Sequence, residues 1–200
     1  MTKERLGIFG GTFNPPHLGH VHAACAASQA LGMDILFVPD NIPPHKKMPE
    51  NSPSAEERLE MVRLAALDVP GAQVLDLEIR REGRSYTADT VEALSALYPD
   101  KELWLIVGTD MLTTLHSWYM PERIFAHAHI AALARNVGDR EAIEESAQAL
   151  RENFGAVIEF VDTQPFPVSS TQIREGLYSG AEKWLPARVF AYIKERGLYL

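Results

Sequence analysis

Short apolar runs alternate with longer stretches of helical periodicity along almost the whole chain. Leu6–Phe9, Ile35–Val38, Val74–Leu77, Leu103–Val107, Ile130–Ala134 and Val157–Val161 read as strands. Several are nearly continuous rather than alternating, which fits strands covered on both faces. Leu18–Leu31, Ala55–Leu67, Ala88–Leu97, Pro121–Phe125, Glu141–Asn153, Thr171–Ser179 and Pro186–Lys194 read as helices. Ser54 and Glu57 form a capping-box pattern at the start of the second of them. This order predicts an α/β fold, a doubly wound parallel sheet with helices on both faces and a small C-terminal helical element. Ligands in such folds bind beyond the carboxyl ends of the strands, so the residues that follow each strand carry most of the functional information.

Composition narrows the picture. The chain has 200 residues, enough for one well-cored domain, and no composition break marks a second, so residues 1–200 are expected to form a single domain. With 46% hydrophobic and 23% charged residues it has an ordinary soluble composition. A formal net charge of −8 argues against nucleic acid as the main partner. It leaves a phosphate ligand open, because local dipoles and a few cations set the field inside a cleft. The single cysteine, Cys25, cannot form an internal disulfide and reads as a small buried apolar residue in a cytoplasmic protein. No secretory segment or membrane-length apolar run is seen, so no membrane partner is expected.

The densest chemistry follows the first strand, where Gly10-Gly11-Thr12-Phe13-Asn14-Pro15-Pro16-His17-Leu18-Gly19-His20 runs into a helix. A glycine turn between strand and helix gathers free backbone N–H groups and a positive helix end at one point, a place to hold phosphate. His17 and His20, three residues apart, share one face of the first helical turn. Neither Gly-x-Gly-x-x-Gly nor a Walker loop is present, and no Gly-x-Ser-x-Gly elbow supports a hydrolase. Carboxylates at zinc-site spacing are also missing, so no metal site is assigned. A second phosphate-suited element is Ser169-Ser170-Thr171-Gln172-Ile173-Arg174. Pro165 and Pro167 impose an extended approach, Ser169 with Gln172 forms another capping box, and hydroxyls converge with Arg174. The proline-rich stretch Pro39–Pro53, a loop of roughly fifteen residues, carries His45-Lys46-Lys47 and reads as a substrate loop. Trp118-Tyr119 could stack an aromatic ring, whereas Asp89 and Asp110 read as helix-start residues.

Gly10–His20 resembles the HxGH signature of the adenylyl- and cytidylyltransferase superfamily, and Ser169–Arg174 is similar to its second, Ser-Ser-Thr-x-Ile-Arg signature. Pro43-Pro44-His45-Lys46, Ser85-Tyr86-Thr87-Ala88-Asp89-Thr90, Gly108-Thr109-Asp110 and Ser117-Trp118-Tyr119 lie between them in the order seen in the bacterial nicotinate mononucleotide adenylyltransferases. The similarity spans Leu6–Leu200. It implies a Rossmann-like sheet and transfer of the adenylyl group of ATP to nicotinate mononucleotide, giving deamido-NAD and pyrophosphate in NAD biosynthesis. His17, His20 and Arg174 would then be the catalytic residues. Phe9, Gly10, Gly11, Thr12, Gly108, Asp110, Ser170 and Thr171 would join them around ATP. Asn41, His45, Lys46, Thr87, Trp118, Tyr119 and Arg135 would serve the mononucleotide. Mg²⁺ would accompany ATP without a dedicated protein site. Asn14 stands where many relatives have Asp, and Asn136 where relatives often have Pro. The residues leave open an acceptor bearing an amide in place of the acid, another phosphomonoester acceptor, a noncatalytic nucleotide sensor and a homo-oligomer.

Overall fold

The computed structural model describes residues 3–43, 48–134, 140–164, 166 and 168–200. Six strands, β1 (Glu4–Gly11), β2 (Asp34–Pro39), β3 (Gln73–Val74), β4 (Lys101–Gly108), β5 (His129–Ala134) and β6 (Ile158–Asp162), form one parallel sheet in the order β3-β2-β1-β4-β5-β6. The order turns at β1, so the carboxyl end of β1 is the topological switch point of a doubly wound sheet. Among the described residues no helix is long and apolar enough to cross a membrane.

The chain divides into two compact units. The first comprises Met1–Phe9, Ala26–Ile35 and Tyr86–Pro165. It holds most of β1 with β4, β5 and β6, and the helices α4 (Thr87–Leu97), α5 (Thr109–Thr114), α6 (Pro121–His127) and α7 (Arg140–Phe154). Leu103–Val107 of β4 and Ile130–Leu133 of β5 are buried throughout, as near-continuous apolar strands between helical layers should be.

The second unit comprises Gly10–Cys25, Leu36–Ser85 and Phe166–Leu200. It contains the start of α1 (Leu18–Leu31), most of β2, β3, and the helices α2 (Ala55–Ala66), α3 (Leu77–Arg80), α8 (Ser170–Gly176) and α9 (Ala187–Arg196). Met61 and Ala65 of α2 pack with Ile173, Leu177, Leu185, Val189, Ile193 and Leu198 into one core. That core gives the C-terminal helices their place: each contributes an apolar stripe to the stripe of α2. Both capping boxes form, Ser54 with Glu57 at α2 and Ser169 with Gln172 at α8.

One expected strand is corrected. Val74–Leu77 is strand only at its start, because Asp76 opens a helical turn that leads into α3. Arg80 Nη2 lies 2.8 Å from Asp76 Oδ2 and Arg80 N donates to Asp76 O, closing that turn. The short apolar run alone carried no sign of it, since runs of this length do not separate strand from helix. α5 and the 3-10 turns at Leu115–Ser117 and Ala181–Trp184 are further short elements that periodicity did not mark.

Candidate active site

The turn after β1 builds its own donors. Phe13 is left-handed, with φ 47°, and Pro15 and Pro16 stiffen the approach to His17. His20 N donates to His17 O at 2.8 Å, which starts α1. The side chains then cap their own turn: Gly19 N donates to His17 Nδ1 and His17 N donates to His20 Nδ1, each at 3.1 Å. A ring nitrogen that accepts an amide proton cannot carry one, so in the neutral form the proton of each imidazole sits on Nε2. The rings lie 3.8 Å apart between centroids, which places two Nε2–H donors on one turn. A Cβ at Gly19 would stand 2.9 Å from the His17 ring and 3.0 Å from Phe166 Cδ1. Glycine between the two histidines is therefore a steric requirement of this geometry. At Gly11 a Cβ would meet the Phe13 ring at 3.2 Å.

Within the same unit, α8 is tied to this turn. Ser170 Oγ donates to Pro15 O at 2.9 Å, and Arg174 Nη1 donates to Asn14 O at 2.6 Å. Arg174 Nη2 also donates to Thr171 Oγ1 at 3.1 Å. The two signature segments, 155 to 160 positions apart in sequence, thus meet. Gly10, Gly11, Thr12, His17, His20, Ser170, Thr171 and Arg174 all belong to this assembly.

A residue that sequence reading passed over holds the assembly from beneath. Arg58 of α2 is 2% exposed. Its Nη1 donates to Thr12 O at 2.8 Å and to Asp40 Oδ1 at 3.0 Å, and its Nη2 donates to Asn41 O at 2.8 Å. Thr12 Oγ1 donates to Asp40 Oδ2 at 2.7 Å. One guanidinium thereby locks the loop after β1 to the end of β2. The available signal was spacing: Arg58 shares the buried face of α2 with Met61, Val62 and Ala65, an i, i+3, i+4, i+7 pattern that should be apolar. Asn41 is fastened as well, its backbone N donating to Ser85 Oγ and its amide Nδ2 to the carbonyls of Ile79 and Arg81.

The remaining expected residues that are described belong to the other unit. Phe9 lies near the end of β1, Gly108 ends β4, and Asp110 stands in the first turn of α5. Thr87 begins α4, and Asp89 follows in its first turn, as expected of a helix-start residue. Tyr119 is 45% exposed and lies against Tyr86 with 4.3 Å between ring centroids and a 31° tilt between the rings. Trp118 is half-buried, its Nε1 donating to Thr114 Oγ1 at 3.3 Å. Arg123 of α6 pairs with Asp89 at 2.9 Å and with Glu92, joining the segments that carry the two tyrosines. Tyr86 was not singled out individually; its contact with Tyr119 is the structural reason to add it to the aromatic face. His45, Lys46 and Arg135 lie outside the described residues, as do Pro44, Lys47, Asn136, Pro165 and Pro167.

Among the described residues no group of three or more His, Cys, Asp or Glu side chains could hold a metal ion. Cys25 is partly buried, and burial, with the Asp68 charge, pushes its thiol pKa up, which makes it a poor nucleophile.

Residues 8–176 match the cytidylyltransferase-like family. A probable nicotinate-nucleotide adenylyltransferase of Aeromonas salmonicida is 38% identical over 213 residues, spanning 100% of this chain and 99% of that protein. Another, from Gloeobacter violaceus, is 40% identical over 202 residues, spanning 98% and 96%. The structure of the Plasmodium falciparum nicotinic acid mononucleotide adenylyltransferase complexed with NaAD has the same fold, with a TM-score of 0.79 at 17% identity over 98% of this chain and 97% of that one.

Proposed function

Because the chain belongs to the cytidylyltransferase-like family and, within it, to the nicotinate-nucleotide adenylyltransferases, we propose that it transfers the adenylyl group of ATP to nicotinate mononucleotide, yielding deamido-NAD and pyrophosphate. A phosphate oxygen of the mononucleotide forms a bond to the α-phosphorus of ATP, and the bond from that phosphorus to the β-phosphate's bridging oxygen breaks. The nucleophile is a phosphate monoester with a second pKa of about 6, already largely ionised at neutral pH, so no general base is needed. Two anions must be brought together while charge grows on the departing pyrophosphate. Positioned donors therefore supply the catalysis.

The observation that carries this reading is the locked tautomer of His17 and His20. Both Nδ1 atoms accept from backbone donors, which puts the proton of each neutral ring on Nε2, the nitrogen that would donate to phosphate oxygens. Arg174, fixed on Asn14 O, adds a cation from the second signature segment. In this reading His20 bears on the reacting α-phosphate, and His17, Thr171, Ser170 and Arg174 hold the remaining phosphates. Gly108 and Asp110 face adenosine. Trp118 and Tyr119 take the pyridine ring, while Asn41, His45, Lys46, Thr87 and Arg135 take the rest of the mononucleotide.

The donors of the turn are backbone and imidazole N–H groups, which suit phosphate oxygens rather than a hard cation. Mg²⁺ would bind through ATP phosphates and water and would offset charge on them during transfer. In this reading residues 1–200 act as one nucleotidyltransferase domain in the cytoplasm.

Purified protein incubated with ATP and nicotinate mononucleotide should release pyrophosphate, and nicotinamide mononucleotide in competition should be the poorer acceptor. A site that hydrogen-bonds one of two such groups can reject the other strongly. ATP binding without pyrophosphate release from any mononucleotide would instead identify a nucleotide sensor.

A further inference from the structure

Asn14 joins three distant parts of the second unit. It is 4% exposed and directly precedes the Pro15-Pro16-His17 turn. Its main-chain oxygen is the rest for Arg174, its Nδ2 donates to Ser52 Oγ at 3.0 Å, and its Oδ1 accepts from the Tyr199 hydroxyl at 2.7 Å. The residue is thus held at both ends of its amide by hydroxyls, 38 and 185 positions away.

Tyr199 is itself well anchored. Gly197 caps α9 in the left-handed conformation, with φ 62°, and Leu198 N donates to Ile193 O at 3.0 Å. Leu198 enters the core of α2, α8 and α9, and the Tyr199 ring packs against the same core. Burial pushes the phenol pKa well above its ordinary value, so the hydroxyl keeps its proton as a donor across the working range.

We propose that Tyr199 is a positioning residue for adenylyl transfer: by holding the Asn14 amide it sets the carbonyl on which Arg174 rests, and with it the placement of Arg174 and the histidine turn toward the ATP phosphates. The inference rests on the adenylyl-transfer reading and concerns its ATP side only. Thr12, Asp40 and Arg58 fix the front of the loop, and Asn14 with Tyr199 and Ser52 fixes its rear. Prolines at 15 and 16 pass that placement on to His17 with little slack.

The test is Tyr199→Phe, which removes one oxygen and keeps the ring in the core. Its KM for ATP should rise about three- to ten-fold, the scale of one buried neutral hydrogen bond, while its KM for the mononucleotide stays within about two-fold. Asn14→Ala should raise the ATP KM at least as far, and adding Tyr199→Phe to it should change nothing more, because both variants break one relay. Ser52→Ala, which frees the other end of the amide from a surface loop, should shift the same constant in the same direction and supplies the measurement if Tyr199→Phe does not fold. A purely structural tyrosine would lower the melting temperature and the active fraction and leave both KM values alone. An unchanged ATP KM in Tyr199→Phe, or effects of Tyr199→Phe and Asn14→Ala that simply multiply, would overturn the inference. A wild-type protein that neither binds ATP nor releases pyrophosphate would instead overturn the adenylyl-transfer reading, and the positioning role with it.

Discussion

The turn after β1 and the aromatic face around Tyr86 and Tyr119 are expected to serve the two substrates, and they are built in opposite ways. Around the turn, Asn14, His17, Asp40 and Arg58 are buried, and the hydrogen bonds of Asn14 and Arg58 reach across long stretches of sequence. Around the aromatic face, Tyr119 and Met120 are exposed, and Trp118 bonds within its own turn, its indole to Thr114 and its backbone N to Leu115 O. The chemistry of the ligands explains the contrast. A polyphosphate is stabilised by donors aimed before it arrives, since donors that must reorganise contribute less. A pyridine ring needs an accessible flat surface, and an aromatic face supplies that without a buried polar network.

Arg58→Met tests the rigid side most severely. It leaves Asp40 with a buried charge and strands the carbonyls of Thr12 and Asn41, so about 3–5 kcal/mol of stability should be lost, read from urea unfolding. A variant with the wild-type urea midpoint would mean that the turn is held by something other than this guanidinium. His20→Ala addresses the same side chemically. Removing one transition-state donor should lower kcat by about 10² to 10³ while the protein still folds, as monitored by circular dichroism. Wild-type turnover in the folded variant would take His20 out of the mechanism.

The same contrast decides what could be read from the sequence. The apolar strands, the helix Leu18–Leu31 and both capping boxes are local patterns, and the structure contains them. The phosphate turn was also visible, because its glycines, prolines and histidines are contiguous. Its supports were not. Arg58 lies in a helix rich in Glu and Arg, where one more charge looks solvated, and only its place on the apolar face sets it apart. Tyr199 reaches Asn14 through tertiary packing, and no local pattern encodes a bond across 185 positions. The strand expected at Val74–Leu77 failed for the complementary reason: a short apolar run fits more than one element, and the Asp76–Arg80 turn decides which.

On the aromatic side, Trp118→Ala should weaken the mononucleotide by about 1–3 kcal/mol if its indole stacks the ring as aromatics stack bases, with the ATP constant unaltered. Equilibrium titration with each substrate separates the two, and equal losses for both would indicate that Trp118 supports the fold rather than one ligand.

The smallest effect is expected from Arg123, whose half-buried pair with Asp89 and more exposed pair with Glu92 link α4 to α6. Hydrogen bonding to Arg123, aided by its charge, holds the Glu92 carboxyl below the usual carboxylate range. A carboxylate with a depressed folded pKa stabilises the fold above its unfolded pKa, and that contribution is lost as pH falls through the folded value. Arg123→Gln should therefore melt slightly below wild type at neutral pH and low salt. The gap should close both in high salt, which screens solvent-accessible pairs, and as pH falls through the lowered folded value of Glu92, where that carboxylate takes its proton. A gap that persisted at low pH would place the role of Arg123 in packing between α4 and α6. The aromatic face would then owe its alignment to apolar contacts in place of charge, and the contrast with the hydrogen-bonded turn would sharpen further.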